Sequence, residues 1–156
     1  MNRAWLLALL LVASAANATP FCRIVSAGGL AFGGYDPYAA NPTDTSVTLR
    51  ITCDGTGRVE TATLDIALSP GVSGSSHGRK MIRLGSADSL QYNLFRDSAR
   101  TSSWGMTPGL DTVSRTLTVP ARGTVSTVVT VYARLPPLQD VSIGTYFDSV
   151  QLTISP

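Results

Sequence analysis

The stretch Gly144-Thr-Tyr-Phe-Asp-Ser-Val-Gln-Leu-Thr-Ile-Ser-Pro156 decides the fold. One face of this stretch carries Tyr146, Asp148, Val150, Leu152 and Ile154, and the other face carries Phe147, Ser149, Gln151 and Thr153. Alternation with a period of two predicts a half-buried β-strand that runs to the chain end. The unpaired edge of such a strand can template another chain. The next strand must come from elsewhere in the fold or from another polypeptide, and our leading hypothesis is a sheet completed in trans.

The N-terminal residues have the pattern of a secretory signal peptide. Arg3 precedes a run of apolar residues, and small residues end the segment at Ala16-Asn17-Ala18. This pattern predicts cleavage before Thr19. The alternative is an uncleaved membrane anchor, but the apolar stretch is about twelve residues long, well short of the roughly twenty that a bilayer requires.

We therefore expect residues 1–18 to be a signal peptide and residues 19–156 to be one exported domain with no membrane insertion after cleavage. The domain would be of ordinary size for a single fold. The sequence contains no internal repeat, linker or second composition regime that would indicate another domain.

The charge balance argues against a nucleic-acid partner. The whole chain has 12 Lys and Arg residues and 10 Asp and Glu residues, and loss of Arg3 with the signal peptide leaves a net charge of about +1. Nucleic acid favours a clustered basic surface. The densest basic stretch is Arg79-Lys80 with Arg83, which we interpret as a solvated loop or strand edge. We expect no nucleic-acid partner.

The two cysteines, Cys22 and Cys53, predict a structural disulfide, because the chain is expected to enter an oxidising compartment. Metal binding is a weaker alternative, since two distant thiols with His77 as the sole histidine do not form a closely spaced zinc motif. Redox catalysis is weaker still, because the sequence has no C-x-x-C motif. We expect no metal and no cofactor.

Most of the remaining chain also has a period of two. Further alternating stretches are Ser46–Cys53, Thr61–Ser69, Leu90–Phe95, Thr116–Val119 and Val125–Leu135. No window has a sustained 3.6-residue period, and clusters of Gly, Pro, Asn, Asp and Ser separate the stretches. The pattern predicts an all-β fold, an immunoglobulin-like antiparallel β-sandwich that is incomplete and is completed by a donor strand. A closed barrel is the structural alternative.

A series of short motifs resembles one known family. In chain order they are Cys22, Phe32-Gly33-Gly34-Tyr35-Asp36, the strand ending at Cys53, Arg79 and Met81, Leu90-Gln-Tyr92-Asn93-Leu94-Phe95-Arg96-Asp97, Trp104-Gly105 and Gly144-Thr-Tyr146-Phe147-Asp148. Each motif is unspecific alone, but their order over essentially the whole mature chain resembles the spore coat protein U domain family, which includes subunits of archaic chaperone–usher pili. The resemblance implies a secreted, incomplete domain whose missing strand comes from a periplasmic chaperone and then from a neighbouring subunit.

The C-terminal stretch fits this mode of assembly, which is β-strand addition. The expected acceptor face for the donor strand consists of Tyr146, Val150, Leu152 and Ile154. The motif residues that we interpret as structural are Phe32, Gly33, Tyr35, Tyr92, Asn93, Trp104, Gly105, Gly144 and Asp148. Trp104-Gly105 is expected to anchor a loop or cap the core, with a ligand-stacking surface as the alternative.

The predicted mature N-terminus departs from the polymerising members of the family. In those subunits a donor segment precedes the first cysteine, whereas here three residues precede Cys22. Three residues span at most about 10 Å, too short for a donor strand. We expect a subunit that accepts a strand without giving one, which favours a tip or terminating position.

The motif Gly74-Ser75-Ser76-His77-Gly78 matches G-x-S-x-G, the nucleophile turn of many hydrolases. That turn joins a strand to a helix and works with a histidine from far downstream. No helical pattern follows here, and the sole histidine lies inside the motif. We therefore expect no enzymatic activity.

The leading hypothesis is a structural or adhesive subunit of a surface pilus or coat. It would be assembled through a chaperone–usher pathway, with a periplasmic chaperone, an usher and a neighbouring subunit as partners. It would pass through the periplasm and reach the cell surface. The alternative is a self-sufficient secreted binding module that recognises carbohydrate or a surface through the loops Ser69–Arg79 or Ser98–Pro108.

Overall fold

The computed structural model describes residues 19–155, and within this range the fold is built from β-strands. The strands are β1 (Phe21–Ala27), β2 (Thr43–Asp54), β3 (Glu60–Leu68), β4 (Arg79–Arg83), β5 (Ser89–Phe95), β6 (Val113–Val119), β7 (Thr124–Leu135), β8 (Tyr146–Phe147) and β9 (Leu152–Ser155). A single 3₁₀ turn, Gly71–Ser73, is the only helical element in this range. The predicted all-β fold is confirmed. The predicted signal peptide, residues 1–18, lies outside the described residues.

The strands form two antiparallel sheets. The larger sheet has six strands in the order β1-β2-β7-β5-β4-β8, and the smaller has three in the order β6-β3-β9. β2 and β7 pair along twelve residues each and form the centre of the larger sheet. The two sheets enclose one hydrophobic core, as the sandwich prediction requires.

The core is made from the inward faces predicted by the period-two pattern. Every second residue of β3 is buried, from Ala62 to Leu68, and the same holds for β7 from Val129 to Leu135. Trp104, which lies between β5 and β6 in the sequence, is fully buried. Its indole Nε1–H donates to the backbone oxygen of Ile66 over 2.8 Å. The alternating pattern is therefore explained by burial of one face of each strand.

The predicted disulfide between Cys22 and Cys53 is confirmed. The two cysteines are directly opposite one another in the ladder between β1 and β2. Since β1 is an outer strand, the covalent bond fixes it to the centre of the larger sheet.

The C-terminal stretch differs from the single strand that the sequence predicted. β8 pairs with β4 in the larger sheet, whereas β9 pairs with β3 in the smaller sheet, so residues 148–151 cross between the sheets. The cause lies at Asp148, whose carboxylate accepts hydrogen bonds from the backbone N–H of Val72 and of Ser149 over 3.0 and 2.7 Å. Such side-chain bonds to the backbone compete with a regular ladder.

Candidate strand-acceptor groove

Two outer strands flank an opening between the sheets. β9 pairs with β3 on one side only, and β1 is likewise an outer strand of the larger sheet. Ala27 at the end of β1 and Leu152 at the start of β9 line the same cavity. An outer strand leaves a row of backbone N–H and C=O groups without ladder partners. β9 is therefore an edge to which a further β-strand can add.

The cavity beside β9 has a volume of about 420 Å³. Its apolar lining includes Leu30, Phe32, Val47, Leu49, Leu68, Met81, Tyr92, Leu94, Val131, Tyr146, Val150 and Leu152. Apart from Leu30, Phe32 and Val150, these residues belong to strands of both sheets, so the cavity lies between the sheets and reaches the hydrophobic core. Apolar side chains of a partner can be buried in such a space.

A second cavity, of about 740 Å³, continues from the first. The two share Leu30, Phe32, Met81 and Tyr146 in their linings. Because these four residues border both spaces, the cavities form one elongated depression, which we call the inter-sheet groove.

The C-terminal residues predicted as an acceptor face lie beside this groove. Tyr146, Val150, Leu152 and Ile154 are half-buried and pack against the core. The first three line the groove, while Ile154 lies opposite Ile66 in the ladder with β3. The alternation of half-buried and exposed residues continues from residue 146 to residue 155, even though the backbone changes sheet.

Tyr92 and Asp148 connect the C-terminal segment to the larger sheet. Tyr92 on β5 is buried, and its hydroxyl donates a hydrogen bond to Asp148 Oδ2 over 2.7 Å. Burial, together with the neighbouring carboxylate, raises the pKa of Tyr92 well above its ordinary value. The phenol therefore stays neutral and continues to donate at alkaline pH, where an ordinary tyrosine would ionise. This bond fixes the crossing between β8 and β9 at the wall of the groove.

Arg79, the first residue of β4, is fully buried, so its interpretation as a solvated residue is wrong. Its guanidinium makes six hydrogen bonds of 2.8–3.1 Å, to the backbone oxygens of Leu68, Ser69, Ser76 and Trp104 and to Asn93 Oδ1. Burial lowers the pKa of Arg79. The five N–H donors of arginine can satisfy several carbonyl groups at once, which compensates for the loss of water.

Arg79 is also connected to the start of β9 through hydrogen bonds of Ser69. Arg79 donates to the carbonyl of Ser69. The N–H of Ser69 donates in turn to the backbone oxygen of Gln151 over 2.9 Å. The Ser69 hydroxyl accepts a hydrogen bond from the Gln151 N–H over 2.8 Å. The position of the β9 edge thus depends on a buried cation that the sequence pattern did not reveal, since no apolar alternation marks β4.

The other aromatic motif residues lie near the groove or at its ends. The Phe32 ring meets Tyr92 edge-on, with ring centroids 6.0 Å apart. Tyr35 donates its hydroxyl to the Pro136 carbonyl over 3.1 Å and accepts from the Gln139 N–H over 2.8 Å. Phe32 and Tyr35 therefore connect the segment after β1 to the larger sheet and to the loop after β7.

Each motif glycine, like Asn93, has a specific backbone or packing role. Gly33 has φ of +78°, a left-handed conformation that favours glycine. A Cβ added to Gly105 would collide with the carboxylate of the buried Asp111. Gly144 packs against the side chain of Arg83. Asn93 accepts from Arg79 and donates to the Ser103 hydroxyl.

The Gly74–Gly78 motif lies in a turn that leads into strand β4 and not into a helix. His77 is exposed, and its backbone N–H donates to the Ser75 hydroxyl over 3.3 Å. No group of three or more potential metal-binding side chains is found between residues 19 and 155. Within the same range, no helix is long and apolar enough to cross a membrane.

The sequence matches one protein family and one characterised relative. The family model of the spore coat protein U domain matches residues 7–153. Protein U of Myxococcus xanthus is 33% identical over 154 residues, which cover 90% of this chain and 80% of the relative.

Among solved structures, the fold resembles a chain of the CsuC–CsuE chaperone–tip adhesion subunit pre-assembly complex from the archaic chaperone–usher Csu pili of Acinetobacter baumannii, with a TM-score of 0.56 and 20% identity. The match covers 87% of this chain but only 39% of the length of that chain. At this identity the likeness concerns the fold alone. Taken with the family-model match over nearly the whole sequence, the findings establish that the chain belongs to the spore coat protein U domain family.

Proposed function

We propose that this protein is a secreted structural or adhesive subunit of a surface pilus or coat, assembled by donor-strand complementation. A partner chain adds a β-strand to the free edge of β9, and the inward side chains of that strand fill the inter-sheet groove. The observation that carries the proposal is the coincidence of an outer strand with an apolar groove that opens beside it. Strand addition uses both features, since backbone hydrogen bonds give affinity and side-chain pockets give specificity.

The free energy available from burying donor side chains in the groove supports assembly with a partner. Burial of about five apolar donor side chains contributes at most roughly 7 to 15 kcal/mol, at about 1.5 to 3 kcal/mol each. A typical domain has a total stability of about 5 to 15 kcal/mol. The chain without a donor strand is therefore expected to be marginally stable or prone to aggregation.

The partners in this proposal are a periplasmic chaperone, an usher and a neighbouring subunit. Family membership supports them, and so does the fold likeness to a chain of a chaperone–subunit complex. The proposed route starts with removal of residues 1–18, continues through the periplasm as domain 19–156 and ends at the cell surface. We place the subunit at a tip or terminating position, because cleavage before Thr19 would leave only two residues ahead of β1.

The test is periplasmic expression of the full chain, with and without the chaperone encoded beside the matching usher. We expect soluble protein only with the chaperone, as a one-to-one complex in size-exclusion chromatography. Mass spectrometry of the product tests cleavage before Thr19. A stable monomer obtained without the chaperone would contradict the proposal and favour a self-sufficient binding module.

A matched pair of variants connects the test to the groove. Val150 lines the groove, whereas the adjacent Gln151 is exposed. Val150→Asp places a charge among apolar side chains and should abolish the chaperone complex, while Gln151→Asp adds the same charge outside the groove and should leave it intact. Equal effects of the two substitutions would argue against binding in the groove.

A further inference from the structure

The segment between β1 and β2 has an unusual relation to the groove. Leu30 and Phe32 are half-buried and pack against the core, while Ala31 between them is exposed. Inward side chains at alternate positions are what an extended strand presents to a sheet. Yet residues 28–34 belong to no strand, and within the described chain no backbone–backbone hydrogen bond joins them to either sheet.

Leu30 and Phe32 occupy the middle of the inter-sheet groove. Both belong to the small set of residues shared by the linings of its two cavities. They therefore separate a space of about 420 Å³ from one of about 740 Å³. A partner strand that followed the whole groove would need to place its own side chains where these two now lie.

The segment also has the composition of a hinge. Gly28, Gly29, Gly33 and Gly34 flank the two apolar residues on both sides. Glycine accepts large changes of backbone dihedral angles at little steric cost. Gly28 lies against Val47, but Gly29 and Gly34 have no atom within 4 Å of an added Cβ, so open space adjoins the two apolar residues on both sides.

We propose that residues 28–34 form a displaceable plug, in which Leu30 and Phe32 fill the centre of the groove in the free chain and an incoming donor strand takes their place. This inference rests on the proposed function, because it assumes that the groove receives a strand. Displacement makes the plug a competitor of the donor. The apparent affinity for a donor falls in proportion to the fraction of chains in which the groove is open.

The probe for the test is a synthetic peptide with five valines at alternate positions, separated by threonines and flanked by lysines. Its association with the full chain is followed by fluorescence anisotropy. Leu30→Ala/Phe32→Ala removes the plug side chains and should raise the affinity about tenfold. Ala31→Ser, which changes the exposed residue of the same segment, should behave as the unmodified chain.

A second variant keeps both plug side chains and stiffens the hinge. Gly29→Ala/Gly34→Ala restricts the backbone at two open positions, and we expect the peptide to associate several-fold more slowly. If Leu30→Ala/Phe32→Ala does not fold, the association rate of the peptide with Gly29→Ala/Gly34→Ala tests the plug alone. An association rate equal to that of the unmodified chain overturns the plug.

The remaining outcomes separate the two proposals. Weaker binding by Leu30→Ala/Phe32→Ala would mean that Leu30 and Phe32 are fixed walls that contact the donor, which overturns the plug and leaves strand acceptance intact. Peptide binding by this variant and not by the unmodified chain would support the plug strongly. Absence of binding in every variant would overturn strand acceptance and the plug together.

Discussion

Arg79 donates a hydrogen bond from its guanidinium to the backbone oxygen of Trp104 over 2.8 Å, and both side chains are fully buried. Arg79 lies on β4 in the larger sheet, and the Trp104 indole bonds in turn to Ile66 on β3 in the smaller sheet. The two residues thus link the sheets, and Arg79 also donates to the carbonyl of Leu68, a residue that lines the groove. Because the β9 edge pairs with β3, this link helps to position that edge relative to the larger sheet.

Replacement of Arg79 should be strongly destabilising. Arg79→Lys keeps the charge but reduces the N–H donors from five to three, so several buried carbonyl groups lose their partner. We expect the free energy of unfolding to fall by about 2 to 4 kcal/mol. Lys80→Met is the matched control, since Lys80 is the exposed neighbour and should change stability by less than about 0.5 kcal/mol. Urea unfolding of both variants measures the difference, and equal values would contradict a bracing role.

Tyr92 should make the stability depend on pH in the alkaline range. Its pKa is raised in the folded state by burial and by Asp148, so the unfolded chain loses the phenolic proton first. The stabilisation is complete below the ordinary pKa of 10.0 and is lost as the pH rises above it, at about 1.4 kcal/mol per pH unit. Tyr92→Phe should remove this part of the slope. Unfolding measured between pH 8.5 and 11 tests it, and an unchanged slope in the variant would refute the assignment.

The disulfide should contribute measurably to stability. Cys22 and Cys53 are 31 residues apart, and closing a loop of this size contributes roughly 3 to 4 kcal/mol in the chain-entropy model. Cys22→Ala/Cys53→Ala should lower the free energy of unfolding by about this amount. Reducing agent should destabilise the unmodified chain and have no effect on the variant, which serves as the control for unspecific effects of the reagent.

Gly105 should not tolerate a side chain. Asp111 is buried next to it and accepts a hydrogen bond from the Thr107 N–H over 2.6 Å, so its carboxylate cannot move freely to make room. Gly105→Ala should cost about 1 to 3 kcal/mol in thermal or urea unfolding. Gly78→Ala is the matched control, since nothing lies within 4 Å of an added Cβ there. A variant at position 105 as stable as the control would show that the loop can relax.

The sequence predicted those strands whose inward faces are apolar. β2, β3, β5, β6 and β7 each have apolar residues at alternate positions, and all five appear close to the predicted places. The disulfide was predicted on separate grounds, from two cysteines in a chain expected to enter an oxidising compartment. The strands follow from local alternation and from burial of one face, both of which can be recognised in a single sequence.

The features that the sequence did not predict depend on contacts between residues far apart in the chain. β4 was missed because its inward positions begin with Arg79, a charged residue that is buried only because carbonyls from three other segments meet there. The break between β8 and β9 was missed because Asp148 finds its partners at Val72 and Tyr92, over 50 positions away. The groove itself was expected only as one strand face, and the part formed by Leu30 and Phe32 has no strand pattern to reveal it.

The most direct test of strand addition is hydrogen exchange of the backbone amides of β9, compared between the free chain and its one-to-one complex with the chaperone. If a donor strand adds to β9, amides of Leu152–Ser155 with no partner in β3 become protected in the complex. The outer strand β6 of the same sheet serves as an internal control and should not change. Equal exchange of β9 in both states, or protection of β6 in place of β9, would contradict strand addition to β9.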